Sequence, residues 1–276
     1  MPELPEVETV RRGLKKLILN KKIIKVDLPY KKLVNGNSKK FVDQVTGQKF
    51  IDIDRRGKFL YLRLSNDQTI ISHLRMEGKY SVEELDVQPF KQTEAIFYFS
   101  DSKLFYTDTR RFGKMQLVET GEETQAIASI QAMGPEPTKR DLKTGYLIEE
   151  LKKSNKMIKP WLLDQSNVAG VGNIYADEIL WLSKIHPETL TNKLTDKQIE
   201  TLRENIIEEL ALGIKYGGST VHSFKSSDGK TGRMQDHLHV YGKVGQLCER
   251  ADHTPLVKIK VAQRGTTYCP YCQKPQ

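Results

Sequence analysis

Three cysteines and a histidine near the end of the chain make its clearest chemical pattern. Cys269 and Cys272 are separated by two residues in "CPYC", and "LCERADHTP" carries Cys248 and His253 upstream. Thiolate and imidazole are ligands that zinc takes at tetrahedral structural sites. The spacing predicts one structural Zn²⁺ per chain, held by Cys248, His253, Cys269 and Cys272. Asp252 competes for the fourth position, and the alternative is that His253 is a surface residue with no ligand role.

The "CPYC" segment also has the pattern of a thiol oxidoreductase active site. That chemistry needs a helix after the first cysteine, because a helix N-terminus lowers the thiol pKa. Only four residues follow Cys272, so the sequence favours the metal site over a redox site. Three cysteines do not make a disulfide framework, which is typical of a protein in a reducing compartment.

The charge of the chain indicates an anionic partner. The 276 residues carry a net charge of +9 with a pI of about 9.2, and residues 221–276 hold nine Lys and Arg against four Asp and Glu. A basic balance of this kind favours nucleic acid. No apolar run approaches the roughly 18 residues that span a membrane, and the start lacks the features of a signal peptide. We therefore expect a cytoplasmic protein with no membrane partner.

The first half of the chain is predicted to be β-rich, with one helix in front. Residues 5–18, "PEVETVRRGLKKLI", place five apolar residues on one helix face, with acidic residues first and basic residues last. Alternating apolar segments predict strands at 58–64, 69–76, 94–100 and 103–110.

The second half is predicted to be helical, with a short β-hairpin at its end. A linker rich in proline and glycine, "MGPEPTKRD" at 133–141, separates the halves. Helices are predicted at 144–154, 176–185 and 195–218. Thr195 and Gln198 have the spacing of a capping box for the last helix. In the tail, Arg264-Gly265 is predicted at the tip of the hairpin.

These segments together resemble the formamidopyrimidine-DNA glycosylase family, bacterial base-excision enzymes that act on 8-oxoguanine and ring-opened purines. The likeness spans nearly the whole chain and rests on "PELPEVETV", "RRGKFL", "SHLRMEGKY", "DTRRFG", "GPEP", "NVAGVGNIYADEILW" and "VAQRGTTYCPYCQ". It implies an α+β fold with three domains: an N-terminal β-sandwich with flanking helices at 1–133, a helix–two-turn–helix domain with a lesion-capping loop at 134–234, and a zinc-finger hairpin at 235–276. The chain departs from the family at Ala251 and by one inserted residue before "KIKVA", which puts the usual four-cysteine finger in question.

The resemblance implies a bifunctional DNA glycosylase and lyase that excises oxidised purines and cleaves the strand by β,δ-elimination. Pro2 is the implied nucleophile, since a proline has a free secondary amine only at an N-terminus, after removal of Met1. An α-amino pKa near 8 leaves a neutral fraction at pH 7. Attack on the sugar C1′ gives an iminium that acts as an electron sink. Glu3 is the implied proton shuttle, and Lys58 the implied cation near the scissile phosphate.

The resemblance also assigns contacts with damaged double-stranded DNA. Three side chains fill the gap left by a flipped nucleotide, namely Met76, Arg110 and Phe112, with Arg110 facing the orphaned base. The implied phosphate contacts are His73, Lys159, Gly172, Asn173 and Arg264. The implied lesion pocket contains Glu6, Glu77, Ser219 and Thr220, and the segment 219–230 resembles a loop that closes over the flipped base.

Two alternatives stay open at this point. One is an endonuclease VIII type of glycosylase, which removes oxidised pyrimidines with the same Pro2 and Glu3 chemistry. The other is a DNA-binding paralogue without catalysis, against which the intact Pro2, Glu3 and Lys58 argue. In either case we expect no small-molecule cofactor. Since no coiled-coil pattern is present, we also expect a monomer associated with the bacterial nucleoid.

Overall fold

The computed structural model of the protein describes residues 1–219, 232–250 and 253–275. It divides into two compact units, one of Met1–Gln131 with Tyr216–Arg233 and the other of Ala132–Lys215 with Met234–Gln276. Both units combine helices with antiparallel strands. This confirms the predicted α+β class. Within the described ranges, no helix is both long enough and apolar enough to cross a membrane.

Two antiparallel sheets of four strands make up the first unit. The strands are β1 (Lys25–Asp27), β2 (Phe50–Arg56), β3 (Phe59–Leu64), β4 (Gln68–His73), β5 (Lys79–Glu83), β6 (Thr93–Tyr98), β7 (Lys103–Thr107) and β8 (Lys114–Glu119). One sheet has the strand order β1-β6-β7-β5 and the other β2-β3-β4-β8. Phe50 and Leu62 of one sheet and Phe97 of the other are fully buried in one core, which confirms the predicted β-sandwich.

Helix α1 (Leu4–Ile18) packs against β2 and β3. The predicted apolar stripe faces the core: Val7, Val10 and Leu14 are at most 1% exposed, and Leu17 packs at its margin. The other helices of this unit are α2 (Ser38–Val45), α3 (Glu123–Ala126) and α4 (Ala128–Gln131). The sandwich therefore fixes the position of α1 and of the residues just before it.

The second unit is mainly helical and carries the hairpin. Its elements are α5 (Thr144–Lys153), α6 (Ile158–Leu163), α7 (Asn173–Leu182), α8 (Asp196–Lys215), β9 (Val257–Val261) and β10 (Arg264–Tyr268). The predicted capping box is confirmed before α8, where Thr195 N–H donates to Gln198 Oε1 at 2.9 Å and Gln198 N–H donates to Thr195 Oγ1 at 3.3 Å.

Several element ends and one turn differ from the sequence predictions. The strand predicted at 69–76 ends at His73, and the strand predicted at 103–110 ends at Thr107, because loops begin there. The hairpin tip is Ala262-Gln263, with φ angles of 43° and 65°, and Arg264 is the first residue of β10. Two residues with positive φ suit the tight turn between twisted strands, so the predicted tip at Arg264-Gly265 is displaced by two residues.

The two units also differ from the three predicted domains. Residues 216–233 group with the first unit, and Ser219 N–H donates to Glu6 Oε1 at 2.7 Å. The tail groups with the helices, since Thr267 N–H donates to Asp177 Oδ2 of α7 at 3.0 Å. Long-range hydrogen bonds of this kind have no signature in the local sequence.

Candidate active site

The N-terminus of α1 is held by hydrogen bonds between residues of its own first turn. Pro2 is buried, and Glu3, which is 3% exposed, is the N-cap of α1. Glu3 and Glu6 form a capping box: the Glu3 carboxylate accepts from Glu6 N–H, and Glu6 Oε2 accepts from Glu3 N–H at 2.8 Å. This reciprocal pair fixes the residue after Pro2, so the segment that carries the proposed amine is held by the helix that it begins.

Glu6 also joins α1 to the segment that follows α8. Its Oε1 accepts from Ser219 N–H, and a Cβ on Gly218 would lie 2.8 Å from the Glu6 side chain. Gly218 has a φ of 79°, so both the conformation and the close approach favour glycine. The structure thus brings Glu6 and Ser219 into contact. Thr220 lies outside the described residues, as does the rest of 220–231.

A cluster of arginines around Glu8 joins α1 to the end of β2. Glu8 Oε1 accepts from Arg11 and Arg12, each at 2.8 Å, and Oε2 accepts from Arg55 at the end of β2 at 3.0 Å. Burial alone would raise the pKa of Glu8, but the hydrogen bonds from Arg11 and Arg12 outweigh it and lower the pKa to about 2. The end of β2 leads directly into the turn that carries Lys58.

Lys58 and His73 lie at the same end of two neighbouring strands. Gly57, with a φ of 53°, and Lys58 make the two-residue turn between β2 and β3. Phe59 of β3 pairs with His73 of β4, and their ring centroids are 4.5 Å apart. Lys58 is 5% exposed and its charge acts on His73. The structure therefore groups these two predicted site residues.

His73 is a neutral imidazole over the physiological pH range. Burial lowers its pKa to about 3, and the charges of Arg75 and Lys58 act in the same direction. Its Nδ1 accepts from Arg75 N–H at 2.9 Å. Since Nδ1 is the acceptor, the single ring proton is on Nε2, which is a donor suited to a phosphate oxygen.

The three predicted gap-filling side chains lie exposed on two loops of the first unit. Met76, 36% exposed, follows β4, and Phe112, 50% exposed, lies with exposed Arg110 between β7 and β8. The Arg110 guanidinium is 4.8 Å from the Phe112 ring centroid. Exposed apolar side chains on neighbouring loops indicate a surface that meets a partner.

The loop after β4 and the loop between β7 and β8 both pack against Tyr106. Thr109 Oγ1 donates to the Glu77 carboxylate, which joins one loop to the other. A Cβ on Gly78 would lie 2.2 Å from Tyr106 Oη, and a Cβ on Gly113 would lie 1.8 Å from the same atom. Both loops therefore need glycine where they pass the Tyr106 hydroxyl.

Asp108 sets the shape of the second loop. Its carboxylate accepts from the N–H groups of Arg110, Phe112 and Gly113 at distances between 2.8 and 3.0 Å. A side chain that takes three backbone donors replaces the ladder of a strand. This is the physical reason that β7 ends at Thr107 rather than continuing to Arg110.

Lys159 in the second unit is fully buried, which argues against the phosphate contact predicted for it. Its Nζ donates to Asp177 Oδ1 at 2.6 Å, to Thr266 Oγ1 at 2.7 Å and to the Gly265 carbonyl at 3.1 Å. Lys159 and Asp177 are 0% and 1% exposed. The lysine therefore joins α6 and α7 to β10, and so positions the hairpin.

Gly172, Asn173 and Arg264 lie where α7 meets the hairpin. Gly172 is the N-cap of α7, and Asn173 Nδ2 donates to the Gly265 carbonyl at 3.1 Å. Arg264, the neighbour of Gly265, is exposed. A helix N-terminus beside an exposed guanidinium is an arrangement that suits a phosphate group.

The three cysteines come together at the base of the hairpin. The sulfur atoms of Cys248, Cys269 and Cys272 all lie within 4.8 Å of one another, and within the described ranges these three alone form such a group. Arg250 donates to Cys272 Sγ at 3.3 Å. His253 is exposed and does not belong to the group, so the structure does not bring it to the cysteines. The competing ligand Asp252 and the family departure at Ala251 lie outside the described residues.

The geometry also disfavours redox chemistry at "CPYC". Turns rather than a helix follow Cys269 up to residue 275. Burial and hydrogen bonding among the thiols raise the pKa of Cys269 to about 12, whereas a reactive thiol needs a low pKa. The segment is therefore a turn that brings two cysteines close together.

Sequence reasoning did not identify three residues that hold this site in place. Glu8 has a local signal, because Arg11 and Arg12 follow it at helical spacing. Asp108 has one as well, because an aspartate before a turn commonly accepts from the next N–H groups. Asp177 has none, since its partner Lys159 is 18 residues away.

Comparison with known proteins identifies the family of the chain. Residues 1–115 match the model of the formamidopyrimidine-DNA glycosylase N-terminal domain, and residues 133–225 match the model of the formamidopyrimidine-DNA glycosylase H2TH domain. The formamidopyrimidine-DNA glycosylase of Lactiplantibacillus plantarum is 51% identical over 99% of this chain and 100% of its own length. That of Ligilactobacillus salivarius is 50% identical over 99% of both chains.

Solved structures of related enzymes are also similar to this chain in sequence and in fold. The Lactococcus lactis enzyme in complex with DNA containing an abasic site has a TM-score of 0.94 and 45% identity, over 99% of both chains. The wild-type Lactococcus lactis enzyme with DNA containing N7-benzyl-Fapy-dG also has a TM-score of 0.94, with 46% identity over 99% of this chain and 100% of that chain. By sequence and by fold, the chain belongs to the formamidopyrimidine-DNA glycosylase family.

Proposed function

We propose that this DNA glycosylase, which acts on oxidised purines in damaged duplex DNA, uses Pro2 as a covalent nucleophile and also cleaves the strand. The observation that carries this proposal is the hydrogen-bonded capping box at the N-terminus of α1. Pro2 is buried directly before Glu3, whose carboxylate and N–H are both fixed by the capping box with Glu6. A nucleophile is effective when it is held rigidly beside an acid–base group.

The proposed reaction begins once Met1 has been removed. The neutral amine of Pro2 forms a bond to C1′ as the bond from C1′ to the base breaks, and the departing base takes the proton that the Pro2 nitrogen loses. Glu3 donates a proton to O4′ as the C1′–O4′ bond opens, which leaves an iminium on Pro2. The iminium acidifies C2′–H, and loss of that proton expels the 3′-phosphate. A second elimination then expels the 5′-phosphate, and Lys58 stabilises the charge of a leaving phosphate.

The loops of the first unit supply the proposed contacts with the DNA bases. Arg110, Phe112 and Met76 are already exposed, as side chains must be if they replace a flipped nucleotide. In the second unit, the N-terminus of α7 and Arg264 are the proposed phosphate contacts. The substrate is then chromosomal DNA, so we place the enzyme at the nucleoid of a bacterial cytoplasm.

Borohydride trapping on a duplex with an abasic site tests the nucleophile. Reduction of the iminium should leave a stable protein–DNA adduct that peptide mapping places on Pro2. Pro2→Gly should lower lyase activity at least tenfold, because the primary amine that replaces proline is a different nucleophile. Pro5→Ala is the matched control, since Pro5 has no free amine, and it should retain trapping. An adduct on Lys58 instead of Pro2 would contradict the proposal.

Excision assays on defined lesions test the substrate class. A solved complex of the wild-type Lactococcus lactis enzyme contains DNA with an oxidised pyrimidine, so both lesion classes belong in the assay. We expect faster excision of 8-oxoguanine and formamidopyrimidine than of oxidised pyrimidines. Faster excision of pyrimidines would favour the endonuclease VIII type. Tight DNA binding without excision or trapping would favour a non-catalytic paralogue.

We also propose that the cysteine cluster binds one structural Zn²⁺. Zinc–sulfur bonds of about 2.3 Å place the sulfurs of a tetrahedral site about 3.8 Å apart, and the three sulfurs here lie within 4.8 Å of one another. The hydrogen bond from Arg250 to Cys272 Sγ suits a thiolate. We propose His253 as the fourth ligand, with Asp252 the alternative; His253 would have to move to the cysteines from its exposed position outside their group. The ion would stabilise a hairpin with little core of its own and would take no part in the reaction.

Elemental analysis of the purified protein tests the metal. One equivalent of zinc is expected, and Cys272→Ser should lose it together with much of the DNA affinity. His253→Ala should lower zinc affinity, whereas the matched variant His237→Ala should not. Protein that binds DNA tightly without zinc would rule out the site, and unchanged zinc affinity in His253→Ala would exclude that residue as a ligand.

A further inference from the structure

Glu94 occupies an irregular position in the sandwich. In the pairing of β6 with β7, Thr93 is opposite Thr107 and Ala95 is opposite Tyr106, so Glu94 is the extra residue of a β-bulge. A bulge redirects a side chain that would otherwise alternate with its neighbours. The Glu94 side chain is 1% exposed, and neither carboxylate oxygen has a hydrogen-bond partner among the described residues. A buried carboxylate without such a partner is costly, which calls for a functional reason.

Arg111 is the cation that approaches this carboxylate. Its Nε lies 3.9 Å from Glu94 Oε1, and its guanidinium is 4.9 Å from the ring centroid of Tyr30. The Arg111 side chain is 59% exposed. It is thus held on one side by an aromatic face and on the other by the bulged carboxylate.

The backbone of Arg111 needs such an anchor. Its φ is 57°, a left-handed conformation that an arginine adopts only at a cost. Its two neighbours, Arg110 and Phe112, are the exposed gap-filling side chains, and Asp108 fixes only their backbone N–H groups. A rotation at Arg111 would therefore redirect both neighbours at once.

We propose that Glu94 is a positioning residue that acts through Arg111 to hold the 108–113 loop in the conformation that presents Arg110 and Phe112 to DNA. The proposal rests on the proposed function, because it assumes that this loop enters the duplex. Glu94 itself touches neither the substrate nor the reacting atoms.

The charge of Glu94 makes this anchor responsive to pH. The groups that act on it are Asp108 and Arg111 of the loop, Lys114 of β8, and Tyr106 of β7. Burial, and then the negative charge of Asp108, raise the pKa of Glu94 to about 7, although Arg111 and Lys114 oppose them. Above this pH the carboxylate is ionised and attracts Arg111, and below it the attraction is lost.

The test compares Glu94→Gln with the unaltered enzyme as pH changes. The probe is a duplex with a tetrahydrofuran abasic analogue and 2-aminopurine opposite it, whose fluorescence reports entry of the loop. At pH 8 we expect Glu94→Gln to weaken binding about threefold to fivefold, the effect of a partly exposed ion pair. At pH 6 the two proteins should bind equally, because Glu94 is then neutral in both.

A second variant keeps the test decisive if Glu94→Gln folds poorly. Arg111→Gln changes an exposed side chain, and it should remove the same pH dependence. The double variant should add nothing further, since both substitutions break one interaction. Glu149→Gln, which changes an exposed carboxylate on α5, is the matched control and should behave like the unaltered enzyme.

The outcomes separate this proposal from the function on which it rests. If the ratio of the two affinities is constant between pH 6 and 8 while borohydride still traps Pro2, Glu94 has no positioning role and the glycosylase assignment stands. If the unaltered enzyme neither traps nor excises, the proposed function itself fails. A lower melting temperature with an unchanged pH profile would show that Glu94 is merely structural, which would also overturn the proposal.

Discussion

His73, a proposed phosphate contact, shows how burial decides the charge of a single residue. A protonated imidazole would be the stronger phosphate ligand, yet burial and the nearby cations Lys58 and Arg75 keep this ring neutral. Its hydrogen bond from Arg75 N–H then leaves the proton on Nε2. His73 can therefore donate a directed hydrogen bond from Nε2 but carries no charge, whereas Lys58 carries a positive charge at the same strand ends.

His73→Gln should weaken DNA binding by the same factor from pH 5.5 to pH 8. Because the folded pKa of about 3 lies below the ordinary 6.5, the unfolded chain binds an additional proton as the pH falls through 6.5. The stability that His73 contributes is therefore complete above pH 6.5 and decreases toward pH 3. Equilibrium binding and denaturant unfolding at both ends of the range measure these effects, with His237→Gln as control. A His73-dependent gain in affinity below pH 6.5 would show that the ring is protonated.

At the scale of elements, the position of α1 depends on one carboxylate. Glu8 joins two arginines of its own helix to Arg55 of β2, and Arg11 also donates to the Ile53 carbonyl at 3.1 Å. The cluster joins the helix that begins just after Pro2 to the strand that ends just before Lys58. A change at Glu8 should therefore affect both folding and catalysis.

Glu8→Gln should lower the free energy of unfolding by about 1–2 kcal/mol at pH 7, because it leaves the half-buried charges of Arg11 and Arg55 without their carboxylate partner. The folded pKa of about 2 is below the ordinary 4.5, so the stabilisation exists above pH 4.5 and is lost as the pH falls toward 2. The difference between the two proteins should shrink over that range in denaturant titrations, and trapping at Pro2 should slow. Glu149→Gln should change little. Equal stability at pH 7 would mean that the cluster is only a surface network.

The buried pair of Lys159 and Asp177 has the corresponding role for the hairpin. Lys159→Met leaves Asp177 buried without its cation, so we expect a loss of about 3–5 kcal/mol in stability together with weaker DNA binding. The double variant with Asp177→Asn should recover part of the stability, because the unpaired charge is gone. Lys156→Met is the control, since Lys156 is 61% exposed in its pair with Asp164. Calorimetry and binding assays measure both effects, and normal stability in Lys159→Met would contradict a hairpin role.

The elements that sequence predicts well are those with a local cause. The helix from Leu4, the capping box of Thr195 and the buried strands follow from periodicity and from neighbouring residues. The burial of Lys159 does not follow from its neighbours in the sequence, because it depends on Asp177 and Thr266, which are far away in the chain. The cysteine cluster has a local cause in the spacing of Cys269 and Cys272, so the sequence indicates it. Whether His253 joins the cluster depends on the three-dimensional position of its side chain, which the spacing does not determine.

At the scale of the whole molecule, the net charge of +9 acts together with a few fixed contacts. Charge brings DNA to the protein and supplies affinity that depends on salt, because each phosphate neutralised releases counterions. The proposed neutral donors His73 and Asn173 would add directed hydrogen bonds with no counterion release. The salt dependence of binding therefore separates the two kinds of contact.

Arg264→Gln and His73→Gln should weaken DNA binding in distinguishable ways. On a plot of the logarithm of the binding constant against that of the salt concentration, loss of the charged Arg264 contact should reduce the steepness by about 0.9. Loss of the neutral His73 contact should shift the line downward and leave its slope unchanged. Fluorescence anisotropy with an abasic-analogue duplex between 50 and 300 mM salt, as roughly the range over which such slopes are resolved, provides the measurement. Equal slopes for Arg264→Gln and the unaltered enzyme would remove Arg264 from the phosphate contacts, and a shallower line for His73→Gln would show that His73 binds as a cation.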